Sequence, residues 1–327
     1  MAQLQSTNIT QCLNLSATTV CSGATGYLWY NTSINKLQYS YAGATAWSSG
    51  GVMINTRCGL AGVGASSTAS LAFGGQTPAP ATVACTETYN GTSWSVGGAM
   101  IQARQQLAGG GTSTAALAFG GLPPAPATAG VTCTENYNGS TWTTGCAMIT
   151  ARYQLAGAGS SNTAALVFGG FIAPATVAAC TETYNGTSWT AGGLLIVARL
   201  RLAGSGTNTA ALAFGGSSPT TVACTETYNG TAWTTGGALI TARVRLAGSG
   251  TNTASLAFGG GAPAVVACTE TYNGTSWSSG GALSTARYSL AGAGTNTAAL
   301  AFGGFVTPAT IVACTESYGA AIQVCTL

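Results

Sequence analysis

A tryptophan recurs along this chain at a nearly fixed interval, and that interval constrains the fold more than any other feature. Trp47, Trp94, Trp142, Trp189, Trp233 and Trp277 are separated by 47, 48, 47, 44 and 44 residues. An arginine follows each by ten positions: Arg57, Arg104, Arg152, Arg199, Arg243 and Arg287. A Phe-Gly-Gly follows each arginine by 15 or 16, at Phe73, Phe119, Phe168, Phe214, Phe258 and Phe302. From Cys85 to Trp277, a glutamate precedes each tryptophan by seven. Nearly all length variation lies between the Gly-Gly and the next cysteine, a segment of 9, 11, 9, 7, 7 and 9 residues in successive units. Self-similarity at such a period means units that bury their apolar faces on one another.

Each unit reads as four short strands. In the unit at Arg243, Leu246 to Gly250 is a strand of small residues, and Ala254 to Phe258 is an apolar strand closed by Gly259-Gly260. Val266 to Tyr272 alternates, with Cys268, Glu270 and Tyr272 on one face and Thr269 and Thr271 on the other. Trp277 opens the fourth. Asn273-Gly274 suggests a two-residue type I′ hairpin between third and fourth, and Thr251-Asn252-Thr253 a turn between first and second. Helices are not supported anywhere. Four antiparallel strands per ~45 residues is the pattern of a propeller blade. The expected class is all-β.

Composition excludes several alternatives. Charged residues make up 5% of the chain, against roughly 25% for an average soluble domain, and hydrophobic residues 46%, so disorder is a poor reading. A net charge of +3 is too small to argue for nucleic acid. No apolar run reaches the ~18 residues of a membrane helix, and the start at Met1 lacks the features of a signal peptide.

The landmarks Gly259-Gly260, Tyr272, Trp277 and Arg287, with Glu270 two before the tyrosine, resemble a kelch repeat. The resemblance covers about 27–327 and implies a kelch-like β-propeller. The third-strand tyrosine occurs seven times, at Tyr41, Tyr89, Tyr137, Tyr184, Tyr228, Tyr272 and Tyr318. Seven blades are therefore expected, with six as the alternative. In the seven-blade reading, 27–54 holds a first blade built from strands at 27–30 and 37–41 and a third opening at Ala46-Trp47. The last blade runs from Arg287 to the end, with 321–327 as its outer strand. Residues 1–26 are read as an N-terminal arm, and 10–21 or the C-terminus supplies the ring-closing strand. A second resemblance, in Gly26-Tyr27-Leu28-Trp29-Tyr30-Asn31-Thr32 through Leu37-Gln38-Tyr39-Ser40-Tyr41 to Ala46-Trp47, is to tail-fibre and other virion proteins of tailed bacteriophages. It implies a structural protein of a phage particle.

Chemistry is scarce. The chain has no His and no Asp, which removes Ser-His-Asp catalysis and, within the propeller resemblance, imidazole-bound copper and Asp-dependent sialidase sites. The carboxylates are six glutamates at one repeat position: Glu87, Glu135, Glu182, Glu226, Glu270 and Glu316. Glycoside hydrolysis needs two acids about 5–9 Å apart, closer than equivalent positions of neighbouring blades should lie. One Glu and one Arg per unit instead suggest structural ion pairs linking blades. The six cysteines of the repeat are too far apart to pair and are read as small buried thiols. Cys133 with Cys146, and Cys12, Cys21 and Cys325 near the termini, are local exceptions. Neither a metal nor any other cofactor is expected. The Trp, Tyr and Phe columns are read as packing rather than sugar platforms. The Asn-Gly-Thr/Ser sequons at Asn90, Asn138, Asn185, Asn229 and Asn273, with Asn8, Asn14 and Asn31, are read as turn chemistry.

Function should then sit where the repeats differ. In a four-stranded meander the 2–3 and 4–1 connections share one face, and here both sets vary. Candidate binding residues are Pro78, Pro80, Leu122, Pro124, Phe171, Ile172, Pro219, Pro263, Phe305 and Val306 in the 2–3 loops. Tyr153, Arg201, Arg245 and Tyr288 join them from the pairs that follow each arginine. Apolar, Pro-rich loops on a rigid scaffold suit protein docking. The expected protein is a non-enzymatic virion component that docks another virion protein or the host surface, inside a larger assembly and without nucleic acid or membrane insertion. A lectin-like propeller with a shallow sugar site on each blade is the alternative.

Overall fold

The computed structural model describes residues 28–307 and 310–326, and every statement of absence below refers to these. They form strands and connections with no helix. Five four-stranded antiparallel sheets and a sixth sheet that draws strands from both ends of the chain follow one another, and residues 47–318 are a compact unit in themselves. The first blade is Ala61–Ser66, Ala69–Phe73, Thr86–Tyr89 and Trp94–Val96. Blades two to five repeat it over 108–144, 156–191, 203–235 and 247–279. The sixth takes Ala291–Gly294 and Ala299–Phe302 as its inner strands and 315–318 as its third.

The ring closes with six blades, not seven. Residues 36–49 form one strand, so the two strands expected at 37–41 and 46–47 are continuous. Its last residues, 47–49, are the outer strand of the sixth blade: Trp47 packs on Tyr318 at 5.1 Å, as each later Trp packs on the Tyr of its own hairpin. The reason is legible in hindsight. No Ala-Gly-x-Gly or Leu-Ala-Phe-Gly-Gly precedes Tyr41, so that copy lacks the sequences that form inner strands in the other units. Tyr318 is followed by Gly319-Ala320 with no Asn-Gly and no Trp, so that copy lacks an outer strand. The two partial copies complete one blade. The expected outer strand at 321–327 is likewise absent as such, because 315–326 is a single strand. The described parts of 1–46 and 319–327 belong to a second compact unit, in which Leu28–Asn31 pairs antiparallel with 36–39. The arm expected over 1–26, with its proposed strand at 10–21 and with Asn8, Asn14, Cys12 and Cys21, lies outside the described residues, as does the Cys325 side chain.

Adjacent blades are joined by the recurring landmarks. Each Trp lies against the Phe of the preceding blade at 4.9–5.3 Å. Its indole N–H donates to the first Thr of the preceding blade's third strand at 2.9–3.1 Å, as in Trp189 to Thr134 and Trp47 to Thr269. The aromatic columns are thus core, as expected. The second residue of each inner strand is glycine because a side chain would strike that Phe; a Cβ at Gly157 would lie 2.6 Å from Phe119 Cζ.

The 3–4 turns differ from the two-residue expectation. Tyr272 pairs with Trp277, leaving a four-residue loop. Only Gly274 takes a left-handed φ, while Asn273 Oδ1 accepts from the Thr275 and Ser276 amides. The asparagine caps the turn with its side chain, so it need not adopt φ > 0. This is the turn chemistry expected of the sequons.

Candidate functional site

The connection from the outer strand of one blade to the inner strand of the next builds both the inter-blade joint and the mouth of the ring. Between the first and second blades, Gly97 and Met100 amides donate to Thr86 and Ala84 carbonyls of the first. The very next amide, Ile101, donates to Glu135 Oε2 of the second at 2.6 Å. Arg104 then reaches Glu135 Oε1 at 2.7 Å and the carbonyls of Gly120 and Cys133. The same set recurs around the ring. All six pairs, Arg57–Glu87, Arg104–Glu135, Arg152–Glu182, Arg199–Glu226, Arg243–Glu270 and Arg287–Glu316, are 2.7–2.9 Å apart, and no guanidinium reaches solvent. Burial pushes the Arg57, Arg199, Arg243 and Arg287 guanidiniums down and the glutamate opposes it. Each pair joins an inter-blade connection to the third strand of the following blade.

The cysteines serve this joint through their carbonyls. The six repeat cysteines have half-buried side chains rather than the buried ones expected, Cys58 is buried and Cys146 exposed, and all eight described thiols, Cys133 and Cys146 included, are free.

Two residues beyond each arginine the chain reaches the axis. Gly59, Gln106, Gln154, Arg201, Arg245 and Ser289 all have φ between 53° and 58°. Each amide donates to the carbonyl of the equivalent residue in the preceding blade, at 2.7–3.0 Å, and Gly59 donates to Ser289. Six backbone hydrogen bonds therefore form a closed cycle around the axis. These six residues, with Cys58, Gln76, Gln105 and Phe305, border a cavity of about 250 Å³. Antiparallel bridges pair the connections with the 2–3 loops, as in Gln105 with Leu122, Tyr153 with Phe171 and Tyr288 with Phe305. Both sets of variable segments thus lie on one face, as expected.

The charge of this face follows from subtraction. The six glutamates are the only acidic side chains, and each is committed to its own arginine. The net charge of +3 therefore resides on Lys36, Arg201 and Arg245. Arg201 and Arg245 border the cavity together. Burial and the neighbouring Arg245 charge hold the Arg201 guanidinium below its ordinary range. Arg201 Nε and Gln106 Oε1 are buried with no protein partner. Arg245 lies 5.5 Å from the Tyr288 ring centroid, and Tyr288 stacks on Phe305 at 5.2 Å and 15°. Burial pushes the Cys58 thiol up to about 12, with Arg245 opposing.

Of the candidates read from the sequence, Arg201, Arg245 and Phe305 border the cavity, and Tyr288 flanks it through its ring stack on Phe305. Tyr153 stacks edge-on against Phe171 beside it. Phe171-Ile172 and Phe305-Val306 belong to two-residue hairpins rather than open loops. Pro78, Pro80, Pro124, Pro219 and Pro263 are exposed in the 2–3 segments, and Leu122 is half-buried. The reading missed a girdle of exposed aliphatics: Ile54, Ile101, Ile149, Ile196 and Ile240, at 53–60% exposure, with Val52 and Leu194 beside them. Its signal was the doublet Met53-Ile54, Met100-Ile101, Met148-Ile149, Leu195-Ile196 and Leu239-Ile240, in which the first residue is buried and the second has no inward place to go.

The architecture is that of a six-bladed β-propeller. Comparison with protein-family models and with curated proteins gives no match. Among solved structures, one titled "Structure of YjhT" is similar, with a TM-score of 0.68 at 11% identity, covering 85% of this chain and 100% of that one. At that identity the likeness is one of fold.

Proposed function

We propose that this propeller is a non-enzymatic docking module whose 2–3 and 4–1 face binds another protein. The observation that carries the reading is the aliphatic girdle, one exposed Ile at the same place on each of five connections of the ring. Exposed apolar area arranged in this way marks an interaction surface. The phage-like phrase at 26–47 favours a particle of a tailed bacteriophage as the place of action, with another virion protein as the partner and the host surface as the alternative. Against catalysis stand the missing His and Asp and the engagement of every Glu by an Arg. A lectin with one site per blade is disfavoured because its aromatic platforms are packed in the core.

The test is incorporation. Mass spectrometry of purified particles should find the chain at a fixed copy number. The variant Ile101→Ser/Ile149→Ser/Ile196→Ser/Ile240→Ser should fold and be depleted from particles at least tenfold. Absence of the wild-type chain from particles, or undiminished incorporation of the variant, would remove the reading.

A further inference from the structure

The geometry points to a second, smaller binding site: we infer that the axial cavity binds a small ligand that joins an oxyanion to a hydroxyl, held by Arg201 and Arg245. The inference can fail separately from the docking reading, because it is tested by ligand binding to the isolated chain rather than by incorporation into particles.

Three observations converge on it. First, two guanidiniums on adjacent blades share one cavity with no carboxylate to balance them, in a chain that pairs every other arginine with a glutamate. Neighbouring like charges oppose one another, and an anion between them removes that cost while gaining charge-assisted hydrogen bonds. Second, Gln106 Oε1 is buried with no protein partner. A buried acceptor without a partner calls for an explanation, and a ligand hydroxyl answers it. Third, the six equivalent axial positions share one backbone conformation but not one residue: Gly59, Gln106, Gln154, Arg201, Arg245 and Ser289. A structural requirement for φ > 0 would favour glycine at all six. Five carry side chains instead, in a repeat whose other landmarks hardly vary. The cavity of about 250 Å³ admits a small molecule but not a folded partner.

Calorimetric titration of the purified full chain with tartrate, succinate and inorganic phosphate, at ionic strength matched with sodium chloride, tests the site. Tartrate and phosphate are expected to bind saturably at one site per chain. Tartrate should bind more tightly than succinate, which lacks hydroxyls. The variant Arg201→Gln/Arg245→Gln should weaken binding at least tenfold. It should also fold, since Gln106 and Gln154 already occupy the equivalent positions at φ of 53° and 55°. Arg245→Gln alone, expected to weaken binding at least threefold, serves as a second variant. Either of two results overturns the proposal: no saturable binding of any of the three, or equal affinity in wild type and variants. Binding of succinate as tight as tartrate overturns the hydroxyl requirement.

Discussion

Arg152 is one of the largest side chains in the molecule, and none of it reaches solvent. What makes this tolerable is that both terminal nitrogens are engaged, one by a carboxylate at 2.7 Å and the other by two backbone carbonyls, while the second carboxylate oxygen accepts from the Ile149 amide; only Nε has no partner. Buried pairs of this kind contribute little net stability against an apolar replacement, but breaking one strands a charge. Glu182→Ala should therefore destabilise the ring by about 3–5 kcal/mol in urea unfolding. A cost below 1 kcal/mol would mean that the carbonyls alone satisfy the guanidinium. Cys58 shows the same environment acting on a neutral group. With its pKa pushed up to about 12, the thiol stays protonated in the folded chain at pH 8.5. Iodoacetamide should label exposed Cys146 under native conditions and leave Cys58 unlabelled until the chain unfolds, read by mass spectrometry. The sign for stability follows. The Cys58 contribution is intact below the ordinary thiol range near 8.5. It is eroded as pH climbs from there to about 12, because the unfolded thiol ionises first.

At the scale of the strand, most of the blade was legible and the connections were not. The third strand, Thr269–Tyr272, could be placed because alternation of Glu270 and Tyr272 against Thr269 is a period of two bounded by turn residues. Its Thr269 was read as the opposite face, and it is, but it is also buried, because Trp47 of the next blade bonds to it. Such a bond joins residues 222 apart in sequence and no local pattern encodes it. The axial cycle was hidden for a different reason. Gln and Arg have no preference for φ > 0, so Gln154 or Arg201 in that conformation can be found only from the ring that imposes it. The sequence did mark these positions as variable. It did not show that the second residue of each pair faces the axis, whereas the prolines that drew equal notice lie exposed in the 2–3 segments.

For the molecule as a whole, closure is the step that sequence reading miscounted. The degenerate copy before Trp47 and the truncated one at Tyr318 each carry a third-strand tyrosine, but each supplies only part of one blade. If 47–49 is the missing outer strand, Trp47 is equivalent to Trp189, and the two should respond alike. Trp47→Ala and Trp189→Ala should each cost about 3–5 kcal/mol in chemical denaturation; a nearly neutral Trp47→Ala would break the equivalence. The axial cycle carries a last consequence. Its aperture is set by backbone hydrogen bonds at six residues, while the groups that fringe it are interchangeable side chains at those same residues. Gly, Gln, Arg and Ser already coexist there without altering the backbone. Selectivity at this opening can therefore be rewritten one blade at a time, by point substitution, with the scaffold left unchanged. A repeat protein with so uniform a frame can in this way diversify what it accepts without diversifying how it folds.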